Sequence, residues 1–136
     1  MKKVRLGIIG LGLRGTYNLE KILVNFEDLE INALCDPYKD RVEYAAKTVK
    51  DKCGNMPFCS CDYREVLNHD LVDAVYVASS WESHIEISIA AMRAGIITAS
   101  EVGGAYTLEE CFELVRAYEE TGTPYMFMET CCFNEH

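Results

Sequence analysis

The 136-residue chain carries 22 acidic residues against 13 lysines and arginines, a net charge of −9 and a pI of about 4.8. That balance repels polyanions, so nucleic acid and anionic membrane surfaces are excluded as partners. No apolar run is long enough for a transmembrane helix, and 49% hydrophobic residues over this length suit one globular domain with a real core.

Met1-Lys2-Lys3 leads directly into an apolar run without a small-residue cleavage site, so no signal peptide is expected and the cytosol is the expected compartment. The seven cysteines (35, 53, 59, 61, 111, 131 and 132) lack the spacing of a disulfide framework and are expected to be reduced. Neither Cys59-Ser60-Cys61 nor Cys131-Cys132 is a C-x-x-C pair, and no histidine stands at ligand spacing beside them, so no metal is expected.

The first predicted element is a strand holding Val4, Leu6, Ile8 and Ile9. Gly10, Gly12 and Gly15 follow at G-x-G-x-x-G spacing, and then a helix carrying Leu19, Ile22, Leu23 and Phe26. Strand, glycine turn and helix in that order are what a dinucleotide needs. The first glycine makes the turn, the second lets backbone N–H groups approach a pyrophosphate, and the third lets helix and strand pack closely. Leu13 and Arg14 open the helix whose positive end would face the phosphates. Residues 31–35 form a second strand with Asp36 at its end, about twenty residues beyond Gly15, where a carboxylate meets the adenosine ribose. Such an acid accepts from the 2'-OH and repels a 2'-phosphate, which favours NAD over NADP, although Asp36-Pro37 also reads as a turn and helix start. Arg14 and Arg41 would temper that preference if they met a 2'-phosphate.

Further along, Val42, Ala45, Ala46 and Val49 mark a helix over 38–52 that ends at Gly54. Residues 56–60 form an edge strand because of Pro57, 62–67 a short helical turn, and 73–78 a strand buried on both faces. Ser83-x-x-Glu86 has capping-box form and marks the start of a helix with Ile85, Ile89 and Met92 that closes at Gly95. A fifth strand covers 96–100. Thr107 and Glu110 form a second capping box, opening a helix with Leu108, Cys111, Phe112, Val115 and Tyr118 on one stripe, and 125–128 is the sixth strand. Alternation throughout predicts an α/β fold: a doubly wound parallel sheet, the Rossmann fold, with strand order 3-2-1-4-5-6 and a ligand crevice at the carboxyl ends of the strands.

The loops after strands four and five border that crevice. Ser79 and Ser80 would flank a dinucleotide or simply enter a helix. Trp81 would pack on a cofactor ring or make a satellite apolar contact. His84 would touch the ligand, or cap the helix or lie on the surface, and Glu101 would bond the nicotinamide ribose or stand solvated.

The glycine triplet, Asp36, the 79–84 loop leading into 85–95, and Glu101 ahead of Thr107-Leu108-Glu109-Glu110 resemble the amino-terminal domain of the Gfo/Idh/MocA family. These are the glucose-fructose oxidoreductase and inositol dehydrogenase relatives. The resemblance implies NAD, a sugar or polyol substrate, and hydride transfer to nicotinamide. It assigns 1–136 to the dinucleotide domain and leaves the family's carboxy-terminal substrate domain, with its catalytic residues, outside this chain.

Where many family dehydrogenases read Glu-Lys-Pro, this sequence reads Glu101-Val102-Gly103, and valine cannot move a proton. The loop 101–105 and the stretch 128–133 are similar to the branch containing NAD-dependent glycosidases, which oxidise the sugar transiently. A dehydrogenase domain is therefore the first expectation. A redox glycosidase and a non-catalytic NAD-binding module are the alternatives. An apolar final strand predicts self-association as a homo-oligomer.

Overall fold

The computed structural model describes residues 3–133. A strand covered on both faces must be apolar nearly throughout, and β1 (Val4–Ile9) is buried from Leu6 onward. Its glycine, Gly7, lies under the γ-methyls of Val66, Val72 and Val75, the nearest only 2.9 Å from where a Cβ would stand. The remaining elements are α1 (Leu13–Lys21), β2 (Leu29–Cys35), α2 (Lys39–Cys53), β3 (Phe58–Ser60), β4 (Ala74–Val77), α3 (Trp81–Arg93), β5 (Ile97–Glu101), α4 (Leu108–Thr121) and β6 (Tyr125–Met128).

All strand pairs are parallel, in the order β3-β2-β1-β4-β5-β6, the expected Rossmann sheet. The register sets Ser60, Cys35, Ile9, Val77, Ser100 and Phe127 in one row across it. The residues that follow this row, Gly10, Asp36, Ala78 and Glu101 among them, therefore share one rim. Period-two alternation sends Ile8, Leu34 and Tyr76 to the face covered by α1 and α2, with Leu19, Val42 and Val49. Ile9, Cys35, Val75 and Val77 face the opposite layer, with Ile87, Ala91 and Ile96.

Three local expectations change. The first helix ends at Lys21 rather than running to Phe26, and Leu23–Asn25 tightens into a 3-10 turn. Asn25 donates its side-chain amide to Lys21 O at 2.9 Å, which satisfies a carbonyl that a longer helix would have used. This leaves Ile22 and Phe26 exposed.

The helix expected to start at Ser83 starts at Trp81, with Ser80 as an N-cap that makes no side-chain capping bond. Ser83 lies within the first turn, where its hydroxyl is 2.9 Å from both Ser80 O and Ser79 Oγ. Glu86 instead accepts from Tyr63 OH at 2.6 Å. The Thr107–Glu110 box forms as expected, yet the stripe it opens faces outward. Only Ala117 of α4 is buried, and Leu108 is 70% exposed.

Candidate functional site

Two of the three glycines are demanded by the chain itself. Gly10 has φ +99°, and a Cβ there would stand 2.4 Å from the backbone of Ala78 and Ser79. A Cβ on Gly15 would lie 2.0 Å from Gly10 O. Gly12 differs, because its φ is −70° and its Cβ would meet nothing closer than Arg41 Nη1 at 3.9 Å. Neither conformation nor packing within the protein calls for glycine at position 12. What a side chain would fill is the open space above the start of α1. Gly12 is the N-cap of that helix, no side chain caps it and no acidic residue lies in the first turn, so its positive end faces the same space.

Asp36 follows β2 and is 3% exposed. Its Oδ2 accepts from Leu11 N at 2.7 Å and its Oδ1 from Tyr38 N at 2.9 Å, while Arg41 Nη1 stands 3.6 Å from Oδ2. The carboxylate thus ties the glycine turn to the start of α2. Two bonds leave lone pairs on both oxygens for a further donor. Arg41 also lies over the Tyr38 ring, 4.4 Å from its centroid. Beneath them, burial and then Asp36 push the Cys35 thiol up to about 12, making it a packing residue rather than a nucleophile.

Gly10, Gly12, Leu13, Arg14, Asp36, Ser79 and Ser80 all line one crevice of about 630 Å³. Gly15 is buried below it, where it sets the distance between α1 and β1. Trp81, His84 and Glu101 line an adjoining crevice of about 320 Å³ that shares Arg14, Ala78 and Ser79 with the first. All the expected site residues except Gly15, which lies beneath it, therefore meet along the rim set by the strand register.

His84 is neither a cap nor a surface group. It is 1% exposed, with Nδ1 2.9 Å from Gly103 O and Nε2 3.0 Å from Ser79 O, so one ring spans the loops after β4 and β5. Trp81 lies against Gly103, whose φ is +124° and whose Cβ would stand 2.4 Å from the indole. The indole is otherwise 61% exposed. Glu101 is not solvated freely: its side chain is 14% exposed, and it takes hydrogen bonds from Tyr76 OH at 2.8 Å and Asn18 Nδ2 at 3.1 Å. Val102 follows on the exposed side of the rim.

The family model for an oxidoreductase family with an NAD-binding Rossmann fold, Gfo/Idh/MocA, matches residues 4–129. The chain belongs to the Gfo/Idh/MocA family. It contains that family's NAD-binding Rossmann fold. Among curated relatives, a glycosyl hydrolase family 109 protein of Stenotrophomonas maltophilia is 34% identical over 97% of this chain and 30% of its own length. An alpha-N-acetylgalactosaminidase of Bacteroides fragilis is 33% identical over 96% of this chain and 31% of its own. The chain thus spans about a third of the length of the curated relatives it matches. In fold it is similar to scyllo-inositol dehydrogenase from Lactobacillus casei, whose structure contains NAD(H) and scyllo-inositol. The TM-score is 0.83 at 20% identity, over 98% of this chain and 38% of that one.

Several groups at this Gfo/Idh/MocA rim escape a motif search. Tyr38 lines the first crevice beside Arg41, and the signal for the pair was their three-residue spacing at the start of α2. Asn18 and Tyr76 are buried behind Glu101, and each interrupts an otherwise apolar face. Among the described residues, no three His, Cys, Asp or Glu side chains gather as a metal site, and all seven cysteines are free.

Proposed function

We propose that residues 1–136 form one dinucleotide-binding domain that holds NAD for hydride exchange with a sugar or polyol bound by polypeptide outside this chain. The observation that carries the reading is Gly12, a glycine the fold does not need, at the place where a pyrophosphate would meet the helix N-terminus. The fit extends along the rim. Gly10, Leu13, Arg14 and Gly15 build the phosphate turn. Asp36 faces the adenosine ribose and favours NAD over NADP. Ser79, Ser80, Trp81, His84 and Glu101 border the nicotinamide half. When bound, NAD supplies the hydride acceptor, and the protein supplies orientation and electrostatics.

A second reading, an NAD-dependent glycosidase with transient sugar oxidation, is favoured by one residue. Val102 stands where a proton-moving lysine is expected of many family dehydrogenases, and the relatives at 33–34% identity carry glycosidase names. The two readings share the cofactor site and differ in redox balance. We place the protein in the cytosol, in keeping with its free thiols, and assign the exposed α4 and β6 face to association with a second copy. Among the described residues no helix is long and apolar enough to cross a membrane.

Calorimetric titration with NAD and, separately, NADP tests the reading. NAD is expected to bind more tightly, and Gly12→Val to abolish binding. Absence of NAD binding, or binding indifferent to Gly12→Val, would overturn it. When the chain acts together with a substrate-binding polypeptide, NADH that accumulates with product marks the dehydrogenase, whereas sugar release without net NADH marks the glycosidase.

A further inference from the structure

Glu101 ends β5, and its approach to the crevice is set by two residues on other elements. The parallel register pairs Tyr76 of β4 with Ala99 of β5, so Glu101 lies two residues further along the same face. The phenol spans that step, and its hydroxyl donates to Glu101 Oε1 at 2.8 Å. Asn18, one turn into α1, donates from Nδ2 to the Tyr76 hydroxyl and to the same Oε1 at 3.1 Å. Both residues are buried in an interface otherwise made of Leu6, Ile8, Leu19 and Leu34. Burying an amide and a phenol there is costly unless they bond, and the carboxylate is what they bond. Burial, reinforced by Glu101, pushes the Tyr76 hydroxyl well above its ordinary value, so it keeps the proton it donates.

The consequence lies in which oxygen remains. A carboxylate oxygen accepts about two donors, and Oε1 already has two. Among the described residues, Oε2 takes only Val102 N at 3.3 Å and faces Arg14 Nε at 3.9 Å, on the rim of the smaller crevice. An incoming hydroxyl therefore finds one open acceptor position, aimed into the space shared with Ser79, Trp81 and His84.

We propose that Asn18 and Tyr76 are positioning residues that turn Oε2 of Glu101 toward a ribose hydroxyl on the nicotinamide half of the dinucleotide. This inference rests on the NAD reading above and adds which residues govern that half.

The test compares NAD with ADP, which lacks the second ribose, by titration of the full chain and its variants. Tyr76→Phe and Asn18→Asp are each expected to weaken NAD about fivefold or more while ADP stays within about twofold. Glu101→Ala should reproduce that NAD-only loss, and adding Tyr76→Phe to it should cost nothing further, because the pair acts through Glu101. Asn18→Asp keeps the comparison available if Tyr76→Phe does not fold. Equal losses for NAD and ADP, no loss for either, or additive losses in the double variant would overturn the inference while leaving the NAD site standing. Failure of the unmodified chain to bind NAD or ADP would overturn both.

Discussion

β1 and β6 are both apolar strands of one parallel sheet, yet β1 is buried from Leu6 onward while Met126 and Phe127 of β6 are exposed. The helices that follow the same division contrast as well. α1 packs so closely on the β1 turn that a Cβ at Gly15 would stand 2.0 Å from Gly10 O, whereas α4 buries only Ala117 and leaves Phe112, Val115 and Tyr118 outside. β1 has a neighbour on each side and a helical layer on each face, while β6 has one neighbouring strand and forms the sheet's edge. An apolar pattern marks a surface that will be covered. It does not say whether the cover comes from the same domain.

This contrast predicts a steep difference in what substitutions cost. Gly15→Ala should destabilise the fold by about 3 kcal/mol or more, because its Cβ meets backbone that cannot move aside, as chemical denaturation would measure. A loss under about 1 kcal/mol would mean that α1 rides freely on β1.

Asp36→Ala comes next. It leaves Leu11 N and Tyr38 N without their acceptor and removes the proposed ribose acceptor, so stability should fall by about 1–3 kcal/mol and NAD binding by about 1.5–3 kcal/mol. Asp36→Asn separates the two effects, since its amide oxygen still accepts one of the backbone bonds. Stability lost without any change in NAD affinity would confine Asp36 to structure.

Gly12→Val should change stability by about 1 kcal/mol at most, the scale of an N-cap preference, even though it removes NAD binding in titration. A large stability loss there would erase the distinction between glycines the fold needs and the one it does not.

The smallest effect on folding belongs to the other end. Phe112→Glu with Phe127→Glu should leave unfolding free energy within about 0.5 kcal/mol, as for exposed sites. Sedimentation should nevertheless shift the chain from dimer to monomer. A monomer before substitution would remove the second copy from the α4 and β6 face.

Much of the site was legible because its chemistry is local. The glycine spacing, the acid after the second strand and the two loops follow from short stretches of chain, and the strand register then brought Gly10, Asp36, Ala78 and Glu101 to one rim. Where local signals misled, a partner distant in sequence had intervened. Ser83-x-x-Glu86 resembles a cap, but Glu86 is drawn to Tyr63 and Ser83 to Ser79 and Ser80. His84 reads as a cap or surface residue as readily as a ligand contact, but the loop carrying Gly103 O, nineteen positions away, encloses its ring and removes the first two readings.

The sequence by itself determined the alternation of strands and helices, their order in the sheet and the position of the glycine turn. Each of these depends on periodicity, glycine conformation and the handedness of parallel crossovers, which act within one or two elements. Only the tertiary structure decided that Gly12 stands over open space, that Asn18 and Tyr76 meet at Glu101 and that the α4 stripe faces outward. Those outcomes depend on which side chains meet across the sheet, and such meetings join residues as far apart as Asn18 and Glu101, with no trace in the spacing of either.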